Sequence, residues 1–123
     1  MNITRFRHTA TLLNNSNVLV AGGLEDRMNI QSTVEIFNAT TQLWTLTGSM
    51  KVGRYQHTAT LLRDGKVLVV GGENRRCLDS CELYDPDTEL WTETGSLNIA
   101  KCRHSASLLL DGKVLVIGSD QNR

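Results

Sequence analysis

Apolar and polar positions alternate through His57, Thr58, Ala59, Thr60 and Leu61. The chain then passes Asp64-Gly65 and enters the unbroken apolar run Val67-Leu68-Val69-Val70. Period-two alternation rich in β-branched residues predicts a strand, and a short continuous apolar run predicts a strand buried on both faces. Asp-Gly between two such runs is the favoured pair for a tight type I′ hairpin turn, because both central residues need positive φ. Two further strands are expected at about 80–85 and 90–94. They are joined by Asp85-Pro86-Asp87-Thr88, whose proline suits the second place of a type I turn. No stretch carries a helix signal.

This pattern repeats. HTATLLNNSNVLVAGG at 8–23 returns as HTATLLRDGKVLVVGG at 57–72 and as HSASLLLDGKVLVIGS at 104–119. VEIFNATTQLWTLTGSM at 34–50 returns as CELYDPDTELWTETGSL at 81–97. In the third copy Asp111-Gly112 repeats the turn pair; in the first, Asn15-Ser16 tolerates positive φ less well and predicts a looser turn. Each period is a four-stranded antiparallel meander, so the strands run A-B-C-D, A-B-C-D, A-B. Four-stranded sheets repeated at roughly 40–50 residues are the blades of a β-propeller, each burying its faces against the next. The fold class is therefore all-β.

Within these units Gly71-Gly72 follows the second strand, then come Glu82, Tyr84 and Trp91; the earlier copy has Gly22-Gly23, Glu35, Phe37 and Trp44. Arg5, Arg54 and Lys101 stand three residues before His8, His57 and His104. Taken together, these marks resemble the kelch repeat family over essentially the whole chain. The resemblance implies a partial kelch-type propeller across 1–123, with repeat 1 at about 5–50, repeat 2 at about 54–97 and a partial repeat 3 at about 101–119. There are departures: Phe37 lacks the hydroxyl of Tyr84, Lys101 replaces a planar guanidinium, and Gly118-Ser119 breaks the third Gly-Gly. Propellers close with about four to eight blades, so two and a half blades read as a fragment of a larger ring. Exposed faces on the terminal blades would also permit self-association.

Composition adds exclusions. Lys plus Arg and Asp plus Glu both number 13, so no basic excess points to nucleic acid. No apolar run approaches the ~18 residues of a membrane helix. Cys77, Cys81 and Cys102 allow one disulfide with one thiol left over, and no convincing fourth ligand for zinc accompanies them. The tripeptides at Asn2, Asn14 and Asn38 fit the glycosylation acceptor pattern, which matters only in the secretory pathway. The compartment stays open on these signals.

The neutral total conceals an uneven distribution. Connections from D to A and from B to C share one rim, which would carry Arg5, Arg7, Arg27, Lys51, Arg54, Arg75, Arg76, Lys101 and Arg103 against Glu25, Asp26, Glu73 and Asp79. The opposite rim, made of hairpin turns, is mildly acidic. Candidate partner-binding residues on the basic rim are Arg54, Tyr55, Asn74, Arg75, Arg76 and Arg103. Recurrence of Arg5, Arg54 and Lys101 favours a structural role, supporting each blade through neighbouring carbonyls or through Glu35 and Glu82, whereas Arg75 and Arg76 do not recur. The histidines fall in different blades, so holding backbone is favoured over metal ligation; Trp44 and Trp91 fall at equivalent strand positions and read as packing. No catalytic residue, cofactor site or metal site emerges. The expected function is a non-catalytic scaffold binding an acidic protein partner through the basic rim. The rival is a segment of a kelch-type carbohydrate-active enzyme, an oxidase or sugar isomerase, with its catalytic groups mostly elsewhere.

Overall fold

A computed structural model describes residues 1–118; Ser119, and with it the end of the third repeat, lies outside the described residues. Ten strands follow in order: β1 (Thr9–Leu12), β2 (Val18–Ala21), β3 (Val34–Asn38), β4 (Leu43–Leu46), β5 (Thr58–Leu61), β6 (Val67–Val70), β7 (Cys81–Asp85), β8 (Leu90–Thr94), β9 (His104–Leu108) and β10 (Val114–Gly118). They form two four-stranded antiparallel sheets, β1-β2-β3-β4 and β5-β6-β7-β8, and the two-stranded sheet β9-β10. No helix occurs among the described residues. The A-B-C-D, A-B-C-D, A-B order is thus a partial β-propeller of two blades and a half-blade.

The hairpin turns depart from the two-residue expectation. Leu62 N–H donates to Lys66 O at 2.8 Å and Gly65 N–H to Leu62 O at 3.0 Å, with Gly65 at φ 90° and Asp64 outside the positive-φ region. This is a three-residue loop, a type I turn followed by a left-handed residue. Asp64 serves through its side chain: Oδ1 accepts Lys66 N–H at 3.0 Å. Asp111 does the same for Lys113, and Asn15 for Asn17. The first copy is no looser, because Leu13 N–H to Asn17 O and Ser16 N–H to Leu13 O close it identically. Its cost falls on Ser16, held at φ 71°. The C-to-D loop is closed by Glu89 N–H to Asp85 O at 2.8 Å, one residue beyond a simple type I turn, with Glu89 at φ 59°.

The core lies between the first two blades. Leu19, Ala21 and Val34 from the first sheet meet Val67, Val69, Tyr84 and Trp91 from the second, with Leu13 and Met50 at the margins. Alternation explains this division: Leu19 and Ala21 share a face, as do Val67 and Val69. Trp91 Nε1 donates to Gly48 O across the gap at 2.8 Å, and Tyr84 packs on Trp91 with ring centroids 5.0 Å apart.

The Gly-Gly pairs set the blade spacing. Gly23 N–H donates to Arg54 O at 2.8 Å and Gly72 N–H to Lys101 O at 2.9 Å, so each pair grips the lead-in of the following blade. A Cβ on Gly22, which sits at φ 68°, would lie 2.5 Å from Arg54 O and 2.9 Å from His57 Cε1. Gly22→Ala is expected to cost about 1–3 kcal/mol from backbone strain alone, with more added as the blades separate. Gly95→Ala, where nothing lies within 4 Å, should be neutral by comparison in urea unfolding.

Candidate functional site

In each of the two full blades the lead-in is fixed by a buried ion pair. Arg5 Nη2 lies 2.7 Å from Glu35 Oε2 and Arg54 Nη2 lies 2.8 Å from Glu82 Oε2, all four side chains fully buried. The remaining donors and acceptors are nearly all used. Arg54 Nη1 donates to Gly71 O and Ser80 O, each at 2.9 Å, while Glu82 accepts Lys51 N–H at 2.7 Å and Val52 N–H at 3.1 Å. Arg5 and Glu35 repeat the arrangement with Gly22 O, Thr33 O, Asn2 N–H and Ile3 N–H. Burial would raise the Glu35 carboxyl's pKa, but these N–H groups and Arg5 outweigh it and hold the carboxyl below its ordinary value.

Arg54 therefore leaves the set of candidate binding residues. Its guanidinium is consumed inside the blade and none of it reaches the rim. Arg5 likewise does not contribute exposed charge. Arg7, Arg27, Lys51, Arg75, Arg76 and Arg103 remain exposed on that side, against exposed Glu25, Asp26 and Asp79.

The histidines link one blade to the next. His57 Nε2 hydrogen-bonds Thr9 Oγ1 at 2.9 Å, and His104 Nε2 hydrogen-bonds Thr58 Oγ1 at 3.0 Å. Burial, then the positive charge of Arg54, pushes the His57 pKa down from 6.5 to about 3, although the Ala21 backbone partly favours the protonated ring. Burial also lowers His8 and His104. The three rings stand in successive blades and do not converge.

Of the residues directly before the histidines, sequence reasoning took Arg7 and Arg103 only as rim charge and passed over Gln56. Arg7, Gln56 and Arg103 occupy the left-handed region, at φ 58°, 55° and 55°. Gln56 N–H donates to Arg7 O at 3.2 Å and Arg103 N–H to Gln56 O at 3.4 Å, a backbone chain crossing three blades at the strand starts. Strained backbone of this kind collects at functional sites. Their recurrence one place before each histidine was the available signal. Beside them, Tyr55 is partly buried and its hydroxyl meets the Glu73 side chain; burial first, and then Glu73, pushes its pKa up.

Arg75 and Arg76 are both exposed, yet they separate. Arg75, at φ 68°, lines with Asn74 an open recess of about 370 Å³ between the B-to-C loops of the two full blades, whose other wall is Met28, Asn29, Ile30 and Gln31. Arg76 faces a second recess of about 250 Å³ with Cys77, Leu78, Asp79 and Ala100, towards the half-blade. Asn74 is tied down by Nδ2 donating to Gly53 O at 2.7 Å. The wall from Met28 to Gln31 was missed in the sequence, where its only sign was the extra length of the first B-to-C loop. Met28 is 86 % exposed at the recess edge.

A disulfide joins Cys77 to Cys102, with Cα atoms 5.2 Å apart, leaving Cys81 as the free, buried thiol. The bridge stands between Arg76 and Arg103, so it ties the second blade's B-to-C loop to the lead-in of the half-blade. Disulfides of this kind persist in oxidising surroundings.

Face-to-face four-stranded sheets, with connections gathered at one rim and a buried Arg–Glu pair in each full blade, define a propeller-type repeat scaffold. The kelch motif matches residues 54–98, which is the second blade with its lead-in, consistent with a kelch-type repeat. No curated protein matches the chain. Kelch repeats generally mediate protein–protein interaction, and kelch domains are typically non-catalytic scaffolds.

Proposed function

We propose that this chain is a non-catalytic scaffold that binds a protein partner carrying acidic groups through the rim of its D-to-A and B-to-C connections. The observation that carries the reading is the recess walled by Met28, Ile30, Asn74 and Arg75. It combines exposed apolar surface with fixed polar groups and a cation, the composition of an interface core. Arg7 and Arg103 lie near enough to Tyr55 for their charge to act on its hydroxyl, and Arg76 adds positive charge at the recess towards the half-blade. Such fields steer acidic partners and set the orientation of docking. Tyr55, bridged to Glu73 next to Asn74 in sequence, supplies a partly buried aromatic side chain on the same rim.

Arg75→Glu combined with Arg76→Glu is expected to abolish capture of the partner from an extract while leaving thermal unfolding unchanged, because both side chains are exposed and neither supports the fold. Capture at the wild-type level would sink the rim assignment.

A further inference from the structure

We infer that Asn38, at the turn between β3 and β4, carries an N-linked oligosaccharide. Three stretches of the chain fit the acceptor pattern, and their surroundings differ. Asn2 gives its backbone N–H to the buried Glu35 carboxylate at 2.7 Å and its Nδ2 to Trp44 O at 3.4 Å, so both donors are taken up by the blade. Asn14 stands against the next blade's hairpin turn, where a Cβ on Gly65 would come within 3.2 Å of its Nδ2. Asn38 is held the other way round. Its Oδ1 accepts Thr40 N–H at 2.9 Å and Thr41 N–H at 3.1 Å, while its Nδ2 donates to no described residue. Ala39, Thr40, Thr41 and Gln42 are all exposed, which leaves room for a bulky, solvated group.

The turn itself does not call for asparagine. In the second blade Asp85 takes the same place, and its Oδ1 accepts Asp87 N–H at 2.9 Å. The first blade has Asn38 for that aspartate, Ala39 for Pro86 and Thr40 for Asp87, and these changes together are what make an acceptor. The Cys77–Cys102 disulfide points the same way, because such a bridge persists in the oxidising compartments that glycosylated chains pass through. Attachment is a group transfer from an oligosaccharide carried on a lipid pyrophosphate. Asn38 Nδ2 bonds to the anomeric carbon, the bond from that carbon to the pyrophosphate oxygen breaks, and the lipid pyrophosphate leaves with the amide's proton. The glycan stands on the rim of hairpin turns and leaves the rim of D-to-A and B-to-C connections open.

The test takes the protein from its own cells, removes glycans with an amidase in heavy-oxygen water and cleaves with trypsin. Each occupied asparagine then becomes an aspartate bearing a heavy oxygen. The peptide from Met28 to Lys51 holds Asn38 as its only acceptor and is expected to carry the label. Thr40→Ala, produced in the same cells, should lose the label and Thr40→Ser should keep it. Asn38→Asp should lose the glycan yet unfold cooperatively in urea, since aspartate closes the same turn in the second blade; this separates a lost acceptor from a lost fold. An unlabelled Met28–Lys51 peptide, label at Asn2 or Asn14 in its place, or label that survives Thr40→Ala would each overturn the proposal.

Discussion

Arg54→Ala is expected to lower the free energy of unfolding by about 3–5 kcal/mol, because it leaves the Glu82 carboxylate buried without its cation. Both partners are fully buried, so solvent cannot take over the lost contacts. The arginine also serves three backbone carbonyls, Val52, Gly71 and Ser80, and truncation would strand those acceptors as well. Against a typical stability of about 5–15 kcal/mol for a natural domain, a loss of that size would unfold the chain near body temperature or leave it barely folded. Urea unfolding checks it. The double variant Arg54→Ala with Glu82→Ala should cost less than the two single variants summed, since the second change removes the stranded charge. Additive costs would mean that the pair does not act as a unit.

Acid should weaken the fold well above the carboxylate range. His57 titrates near 3 in the folded chain against 6.5 unfolded, so between those values the unfolded state binds the extra proton and stability falls as pH falls. The contribution is fully present above about pH 6.5 and is lost progressively towards pH 3. Over that range the stability lost is on the order of 4 kcal/mol. His8 and His104 act in the same direction. Urea midpoints taken from pH 7 down to pH 4 should decline steadily in the wild type. They should decline much less in His57→Gln, whose amide can still reach Thr9 yet takes up no proton. An equal slope in the two proteins would place the acid sensitivity elsewhere.

Much of this fold is legible in the residues. The alternation at 57–61 and the apolar run at 67–70 mark β5 and β6, and their recurrence marks the blades, because packing between sheets leaves little freedom at those positions. Recurrence also marks Arg5, Arg54, Glu35 and Glu82 as supports of the blade. The turn geometry is less legible. Asp64-Gly65 satisfies a two-residue turn and a three-residue one equally well, and only the closing bond from Leu62 to Lys66 decides between them. The disulfide is illegible for a similar reason, since three cysteines allow three pairings and Cys77 and Cys102 are 25 residues apart. The candidate site is the least legible part. Adjacent Arg75 and Arg76 look like one basic patch in sequence, but the left-handed backbone at Arg75 sends them to different recesses. The wall opposite Arg75 comes from a loop some forty-five residues earlier, a distance that no local pattern spans.

The opposite rim provides the comparison that bears most directly on function. Its hairpin turns enclose a recess of about 230 Å³ lined by Asp64, Asp85 and Asp87, with charge opposite to that of the proposed binding rim. Partner capture should therefore be measured side by side for Arg75→Glu with Arg76→Glu and for Asp85→Lys with Asp87→Lys. A scaffold that binds through its basic rim loses the partner in the first pair and keeps it in the second. Retention in the first pair, or equal loss in both, would contradict the account.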